Sequence, residues 1–310
     1  MLRAGLLWLS DRPRVSRFVR RNGIARRLAS RFVAGETVDS AVAALTQLNA
    51  AGITATLDLL GESVRHPAEA RAARDVYLET LDRVHQARAQ SHVSVKLTHM
   101  GLDIDEAACV EHMRAIAARA RDRGSFMRID MEGSAYTERT LQIFKRRLHP
   151  EFGDAVGVVL QSYLRRTERD VTELIALGAR IRLCKGAYQE PADVAFPEKK
   201  DVDDNYVVCL ERLLERGNYP AIATHDQRII DHAREFARRR DIPPAHYEFQ
   251  MLYGVRRDLQ QALRREGHNL RVYVPFGDQW YPYLMRRLAE RPANVTFLLG
   301  SIIRESLRRS

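Results

Sequence analysis

The chain has 310 residues, 45% of them hydrophobic and 29% charged, with a formal net charge of +10. That length fits one domain with a full-sized core and requires no second. Cys109, Cys184 and Cys209 never form a Cys-x-x-Cys, which excludes a disulfide framework and a zinc site and points to a reducing cytoplasm.

The charge is uneven. Residues 1–35 carry nine Arg against Asp11, a net +8, while the remainder sets 41 basic against 39 acidic residues, a net +2. A helix through the arm would put Phe18, Ala25, Leu28 and Phe32 on one side, with Arg17, Arg20, Arg21, Arg27 and Arg31 mostly elsewhere. Such a helix suits anionic lipid or nucleic acid, and equally a solvated face on the outside of a domain. Residues 6–9 are too short for a membrane span, and Arg12 follows without a small-residue cleavage pattern, so no secretory signal is read. An Arg-rich, acid-poor start is also the composition of a transit peptide.

After the arm, residues 36–51 read as a helix stopped by Gly52. Eight short β-branched apolar runs follow, each with a polar residue at its end. They are 53–57 ending at Asp58, 92–95 at Lys96, 126–129 at Asp130 and Glu132, and 156–160 at Gln161. The others are 180–184 leading into Lys185, 221–223 into Thr224 and His225, 247–249 into Gln250, and 270–274 with Tyr273 at its tip. Helices are expected between them at 67–89, 105–122, 137–148, 168–177, 204–216, 228–239 and 256–266, with two more at 277–293 and 296–308 split near Pro292. Near-continuous apolar strands with helical crossovers indicate a parallel sheet buried on both faces, and eight of them indicate a closed (βα)8 barrel. The predicted organisation is an N-terminal basic arm and helix over 1–50 and a barrel over 51–310, with one helix more than the repeat requires, free to sit over the mouth.

In such a barrel the strand C-termini converge, so the polar ends gather at one mouth. A polar residue after a single strand is ordinarily a loop start or a helix cap. Eight together are harder to read that way. Lys96 and Lys185 each suit a Schiff base or a structural ion pair. Asp130, Glu132, His225 and Glu248 could gather a divalent metal, although their spacing carries no metal signature. No Gly-x-Gly-x-x-Gly, Walker loop or His-Glu-x-x-His occurs. The most unusual local pattern is Tyr283, Arg286, Arg287 and Glu290, which share one face of the helix after the last strand. Two adjacent guanidiniums suit bidentate capture of a carboxylate or phosphate, with Glu290 placed to orient them, and the same spacing serves an exposed ion-paired helix.

Taken in order, Asp58-Leu-Leu-Gly-Glu62, Ser94-Val-Lys-Leu-Thr98, Ile129-Asp-Met-Glu132, Leu160-Gln-Ser-Tyr-Leu164, Arg182-x-x-Lys-Gly-Ala-Tyr188, Ala223-Thr-His-Asp226, Glu248-Phe-Gln-Met-Leu-Tyr-Gly254 and Tyr283-x-x-Arg-Arg-x-x-Glu290 resemble the proline dehydrogenase family, from about Glu36 to Asn294. The resemblance implies a flavoenzyme on an α/β fold, a distorted (βα)8 TIM barrel with N-terminal helices, FAD at the mouth and the last barrel helix above it. It implies that Lys96, Arg286 and Arg287 hold the carboxylate of L-proline and that Tyr273 and Tyr283 wall its ring. Met131, Gln161, Arg182, Lys185, Gly186, Ala187, Thr224 and His225 would contact FAD, and Asp130 and Arg182 would form the catalytic pair. Glu62 would pair with Arg286 when substrate is bound, as a gate. The implied reaction is oxidation to Δ1-pyrroline-5-carboxylate by hydride transfer to flavin N5, with electrons passed to a quinone. The expected location is the cytoplasm, with the arm touching the inner membrane face, no nucleic acid partner and no metal. Two departures from the family pattern are Gly277-Asp-Gln-Trp280, where close relatives carry Gly-Arg-Asp-Trp, and Cys184 in place of a commoner Val, for which oxidant sensitivity is expected. The chain lacks the aldehyde dehydrogenase half and the DNA-binding segment of bifunctional relatives, so only the first step of proline breakdown is expected of it.

Overall fold

Eight parallel strands close into a barrel, each paired with its neighbour in sequence. The computed structural model describes residues 23–290. The strands are β1 Thr54–Leu59, β2 Ser91–Val95, β3 Met127–Ile129, β4 Val156–Gln161, β5 Arg180–Cys184, β6 Ala221–Ala223, β7 Glu248–Leu252 and β8 Leu270–Phe276. Closure is made by β1 against β8, whose register runs from Thr54 opposite Arg271 to Leu59 opposite Phe276.

Two short helices precede the barrel, α1 Gly23–Ala29 and α2 Val38–Ala50. Thr37 and Ser40 cap α2 reciprocally, and Gly52 at φ +71° turns the chain directly into β1, a conformation only glycine adopts without strain. The crossover helices are α3 Pro67–Gln86, α4 Glu106–Asp122, α5 Ser134–Ile143, α6 Thr167–Ala176, α7 Lys199–Arg216, α8 Gln227–Arg239 and α9 Arg257–Arg265. Asp105 and Asp226 cap α4 and α8 by accepting from backbone N–H groups in their first turns. After β8 comes α10, Trp280–Glu290. The helix expected at 296–308, the arm before residue 23 and the side chain of Glu290 lie outside the described residues.

The apolar core is the shell between strands and helices. Outward-facing Ala55, Leu57, Val93, Val95, Met127, Ile129, Val158, Ile181, Leu183, Phe249, Val272 and Val274 meet apolar faces such as Tyr77, Leu81 and Ile116. The other strand face is not apolar, contrary to the sequence reading. Alternate residues, His92 and Ser94, Arg128 and Asp130, Arg180 and Arg182, Glu248 and Gln250, Arg271 and Tyr273, fill the barrel with polar groups hydrogen-bonded across it.

Three strands also run further than the sequence suggests. Asp58 lies within β1, Gln250 within β7 and Tyr273 in the middle of β8, so none of the three is at a tip. Each side chain is held by a partner inside the barrel, which lets the strand continue past a polar residue that read as its end. Helix α7 begins at Lys199, five residues before the expected start, because Lys199 and Lys200 pair with Asp203 and Asp204 one turn on. Helix α5 passes through a π turn at Phe144–Leu148.

Candidate active site

At the mouth, β2, β3, β5, β7 and β8 each contribute one member of a buried network around Asp130. Its Oδ1 accepts from Ser94 Oγ at 2.9 Å and from Arg182 Nη1 at 2.7 Å, while its Oδ2 accepts from Tyr273 Oη at 2.7 Å. Arg182 also donates through Nη2 to Ser94 Oγ at 3.2 Å and through Nε to Gln250 Oε1 at 2.5 Å. Every guanidinium edge is thus tied to a different strand, and the cation stacks 5.3 Å from the Tyr273 ring centre. Burial, with Asp130 and Asp58 adding to it, keeps the Tyr273 phenol protonated and raised well above its usual range. It remains a hydrogen-bond donor.

Lys96 pairs with Asp58 at 3.2 Å. Burial opposes the ammonium charge, but Asp58 and Asp130 outweigh it and hold Lys96 above its ordinary value. Burial pushes Asp58 up to about 6, with Asp130 reinforcing and Lys96 opposing. A Schiff-base lysine needs a neutral amine, and Lys96 is held in the opposite state. Lys185 too is an ion-paired residue, 2.6 Å from Asp203 and 2.8 Å from Asp226.

Beyond β1, Glu62 accepts from Arg286 Nη1 of α10 at 2.8 Å, which sets the helix across the mouth. Burial works against the Glu62 charge, yet Arg286 and Lys96 outweigh it and hold this carboxyl below its usual range. Arg287, on the same helix, stacks 5.3 Å from the centre of Tyr283, which is buried with Trp280 and Leu284. Lys96 and Arg286 therefore meet the carboxylates of Asp58 and Glu62 at one mouth, with Arg287 next to Arg286 on the same helix.

The other expected residues line the same end of the barrel. Gln161 donates to Met131 O at 3.4 Å, while its own Oε1 is buried without a partner. Gly186 has φ +111°, and a Cβ there would lie 2.2 Å from the Tyr163 ring. Thr224 Oγ1 accepts from Asp226 N at 3.1 Å, and His225 Nε2 accepts from Leu252 N at 2.9 Å, which puts the imidazole proton on Nδ1. Ala187 is exposed beside them. Burial pushes the Cys184 thiol up to about 12, so the expected oxidant sensitivity lacks the thiolate it needs. Asp130, Glu132, His225 and Glu248 do not converge: Glu132 takes its bonds from Thr98, Glu248 from Arg271 and Gln250. No group of three or more metal-type ligands occurs among the described residues.

Sequence reasoning assigned no role to Ser94 and no holding role to Gln250. The signal was available in the alternation His92, Ser94, Lys96 and Glu248, Gln250, where a polar residue at every second position of a buried strand marks a wet barrel interior.

Residues 41–299 match the family described as proline dehydrogenase. The chain belongs to that family. It is 40% identical over 305 residues to "Proline dehydrogenase 1" of Bacillus subtilis (strain 168), covering 98% of this chain and 100% of the relative. It is 42% identical over 308 residues to the "Proline dehydrogenase" of Deinococcus radiodurans, covering 98% of each. Among solved structures, proline utilization A (PutA) from Bdellovibrio bacteriovorus inactivated by N-propargylglycine superposes with a TM-score of 0.82 at 27% identity over 89% of this chain. The chain spans about a third of that longer protein, 34% of its length.

Proposed function

We propose that this chain oxidises L-proline to Δ1-pyrroline-5-carboxylate, the first step of proline breakdown, with FAD as cofactor and a quinone as final electron acceptor. Family membership supports the substrate. The observation that carries the reading in this chain is the mouth itself, where Lys96 pairs with Asp58 and Arg286 with Glu62, two buried or half-buried cations at the place where a substrate carboxylate would bind.

Arg286 and Arg287 would bind the proline carboxylate, with Lys96 supplying further positive charge from β2. Glu62, which accepts from Arg286 Nη1 at 2.8 Å, would keep that pair when substrate is bound and so close the mouth as a gate. Tyr273 and Tyr283 would wall the ring on two sides and exclude water from C5. Ring oxidation removes a hydride from C5 and a proton from the ring nitrogen; the hydride would go to the FAD held at the mouth and the proton to solvent.

FAD fits the residues present. Gln161 offers a buried acceptor with no partner, the chemistry required to receive an N–H from a flat heteroaromatic ring. Met131, Gln161, Thr224 and His225 would hold the ring end, and Lys185, Gly186 and Ala187 the phosphate side. When bound, FAD supplies a two-electron acceptor, which no side chain provides. Arg182, pinned by Asp130, Ser94, Gln250 and the Tyr273 ring, would present a fixed cation favouring the electron-rich reduced state.

The Arg-rich arm would let the enzyme dock on anionic membrane where a quinone is found. Among the described residues no helix is long and apolar enough to cross a membrane. The test of the main reading is spectroscopic. Purified protein should be yellow and bleach when L-proline is added without oxygen, whereas colourless protein that borohydride traps with a carbonyl substrate would overturn it. Removing residues 1–22 should spare activity with a soluble dye and lower activity with membrane quinone. Equal loss with both would assign the arm a structural role.

A further inference from the structure

At the end of the barrel opposite the mouth, charge is out of balance. The inward-facing groups there include the guanidiniums of Arg128, Arg180 and Arg271 and a single carboxylate, Glu248. That carboxylate is already taken, by Arg271 Nε at 2.9 and 3.1 Å and by Gln250 Nε2 at 2.5 Å. Arg128 is 1% exposed and reaches only the carbonyls of Val158 and Arg180, and its Nε is buried without a partner. Arg180 Nε is likewise unpartnered. Both guanidiniums stack on Phe126, at 4.7 and 4.5 Å, and neither forms an ion pair among the described residues. Buried cations in excess of their counter-charges are costly unless an anion joins them.

A cavity of about 270 Å³ opens beside this cluster, between the C-terminal ends of α3 and α4 and the starts of β1 and β2. Its lining includes Arg88, Arg123, His85, His92 and Arg271 and contains no carboxylate; of the inward-facing guanidiniums Arg271 lines it, and Arg128 and Arg180 do not. Arg271 reaches both sides of the arrangement. Its Nε holds Glu248 and its Nη1 holds Ala55 O at 2.8 Å, while the side chain also lines the cavity. Desolvation and the guanidiniums of Arg271, Arg128 and Arg180 keep the His92 imidazole well below its usual pKa, so it enters the site as a neutral donor or acceptor. Arg123 shares Asp82 with Arg119, and Arg88 has no acidic partner among the described residues.

We propose that this cavity is a binding site for a small oxyanion of the phosphate class, held between Arg88 and Arg123 at the rim and Arg271 at the base. Guanidinium forks match the tetrahedral oxygens of phosphate, and Ser91 and Ser125 add hydroxyls to the wall. The site is separate from the carboxylate clamp of Arg286 and Arg287, so occupancy does not compete with substrate.

The experiment is calorimetric titration of the full-length flavin-loaded enzyme with inorganic phosphate and, in parallel, glycerol 1-phosphate, both against chloride at equal ionic strength to remove general screening. The expected result is binding of at least one phosphate species in wild type and about tenfold or greater weakening in Arg88→Asn/Arg123→Gln, with proline turnover unchanged. Asn suits position 88, where φ is +50°. The tighter of the two ligands identifies the source as free ion or phosphate ester. Arg286→Met should bind phosphate as wild type does. Absence of binding in wild type, binding unaltered in the double variant, or loss of binding in Arg286→Met would each overturn the proposal.

Discussion

Replacing Asp130 with Asn removes one charge and almost no volume, so it isolates the electrostatic part of the central network. Arg182 is 5% exposed and Asp130 9%, and their contact is 2.7 Å. Removing one partner of a buried ion pair leaves an uncompensated charge and costs about 3 to 5 kcal/mol. For a chain of this size each kcal/mol shifts the midpoint of thermal unfolding by about 2 °C, so the fall expected is roughly 6 to 10 °C. Denaturant unfolding of wild type, Asp130→Asn, Arg182→Gln and the double variant forms a closed cycle. Because the Arg182→Gln change removes the stranded cation, the double variant should be more stable than the sum of the single losses allows, by about 2 kcal/mol. Additive losses, or less than about 1 kcal/mol lost in Asp130→Asn, would refute the argument that this pair is a buried charge couple. Proline turnover should fall in all three variants, since each frees a cation or anion that the network now fixes.

Arg287→Met should lower kcat/KM for proline by about 2 to 5 kcal/mol in transition-state terms, and an unchanged value would remove Arg287 from the carboxylate clamp. His99, buried beside Lys96, titrates at about 4 in the folded chain against 6.5 unfolded, so the unfolded chain binds more protons between these values and stability falls as pH drops through that window. Relative to His99→Gln, wild type should lose about 2 kcal/mol between pH 7 and pH 5 in urea unfolding; a pH-independent difference would show that His99 is not held neutral. Gly186→Ala should cost about 2 kcal/mol or more, because it meets both a positive φ and the Tyr163 ring; a neutral effect on unfolding would mean that the loop after β5 shifts freely.

The alternation of apolar runs and helix-length segments made the barrel legible, because outward strand positions must be apolar wherever helices cover them. The ends Lys96, Asp130, Gln161, Lys185 and His225 were legible for the same reason, as breaks in those runs. What stayed hidden was anything polar inside a run. Arg128 and Arg271 sit among Phe126, Met127, Ile129, Val272 and Val274, so a reading by average hydrophobicity absorbs them, and only a period of two separates them from their neighbours. Asp58 was taken as the end of β1 because its partner, Lys96, is 38 residues away, and no local rule pairs them. Tyr283, Arg286 and Arg287 stood out by their shared helical face, a spacing that suits an exposed ion-paired helix equally well. The docking of that helix through Glu62 depended on tertiary geometry that spacing does not carry.

That helix has an apolar base of its own. Trp280, Tyr281, Tyr283, Leu284 and Met285 of α10 cluster with Ala29, Phe32, Val33 and Leu60, apart from the shell of apolar side chains that binds the barrel to its outer helices. Trp280 Nε1 donates to Glu36, and Gly277 N to Gly35 O, so both fastenings run to the segment before the barrel. The cover is therefore expected to open as a unit apart from the barrel shell, and hydrogen exchange should show its amide protons exchanging at a free energy below that of global unfolding. Access to the mouth then depends on the first and last elements of the described chain acting together, and a substitution at Phe32 is expected to change the opening rate and leave the chemistry alone.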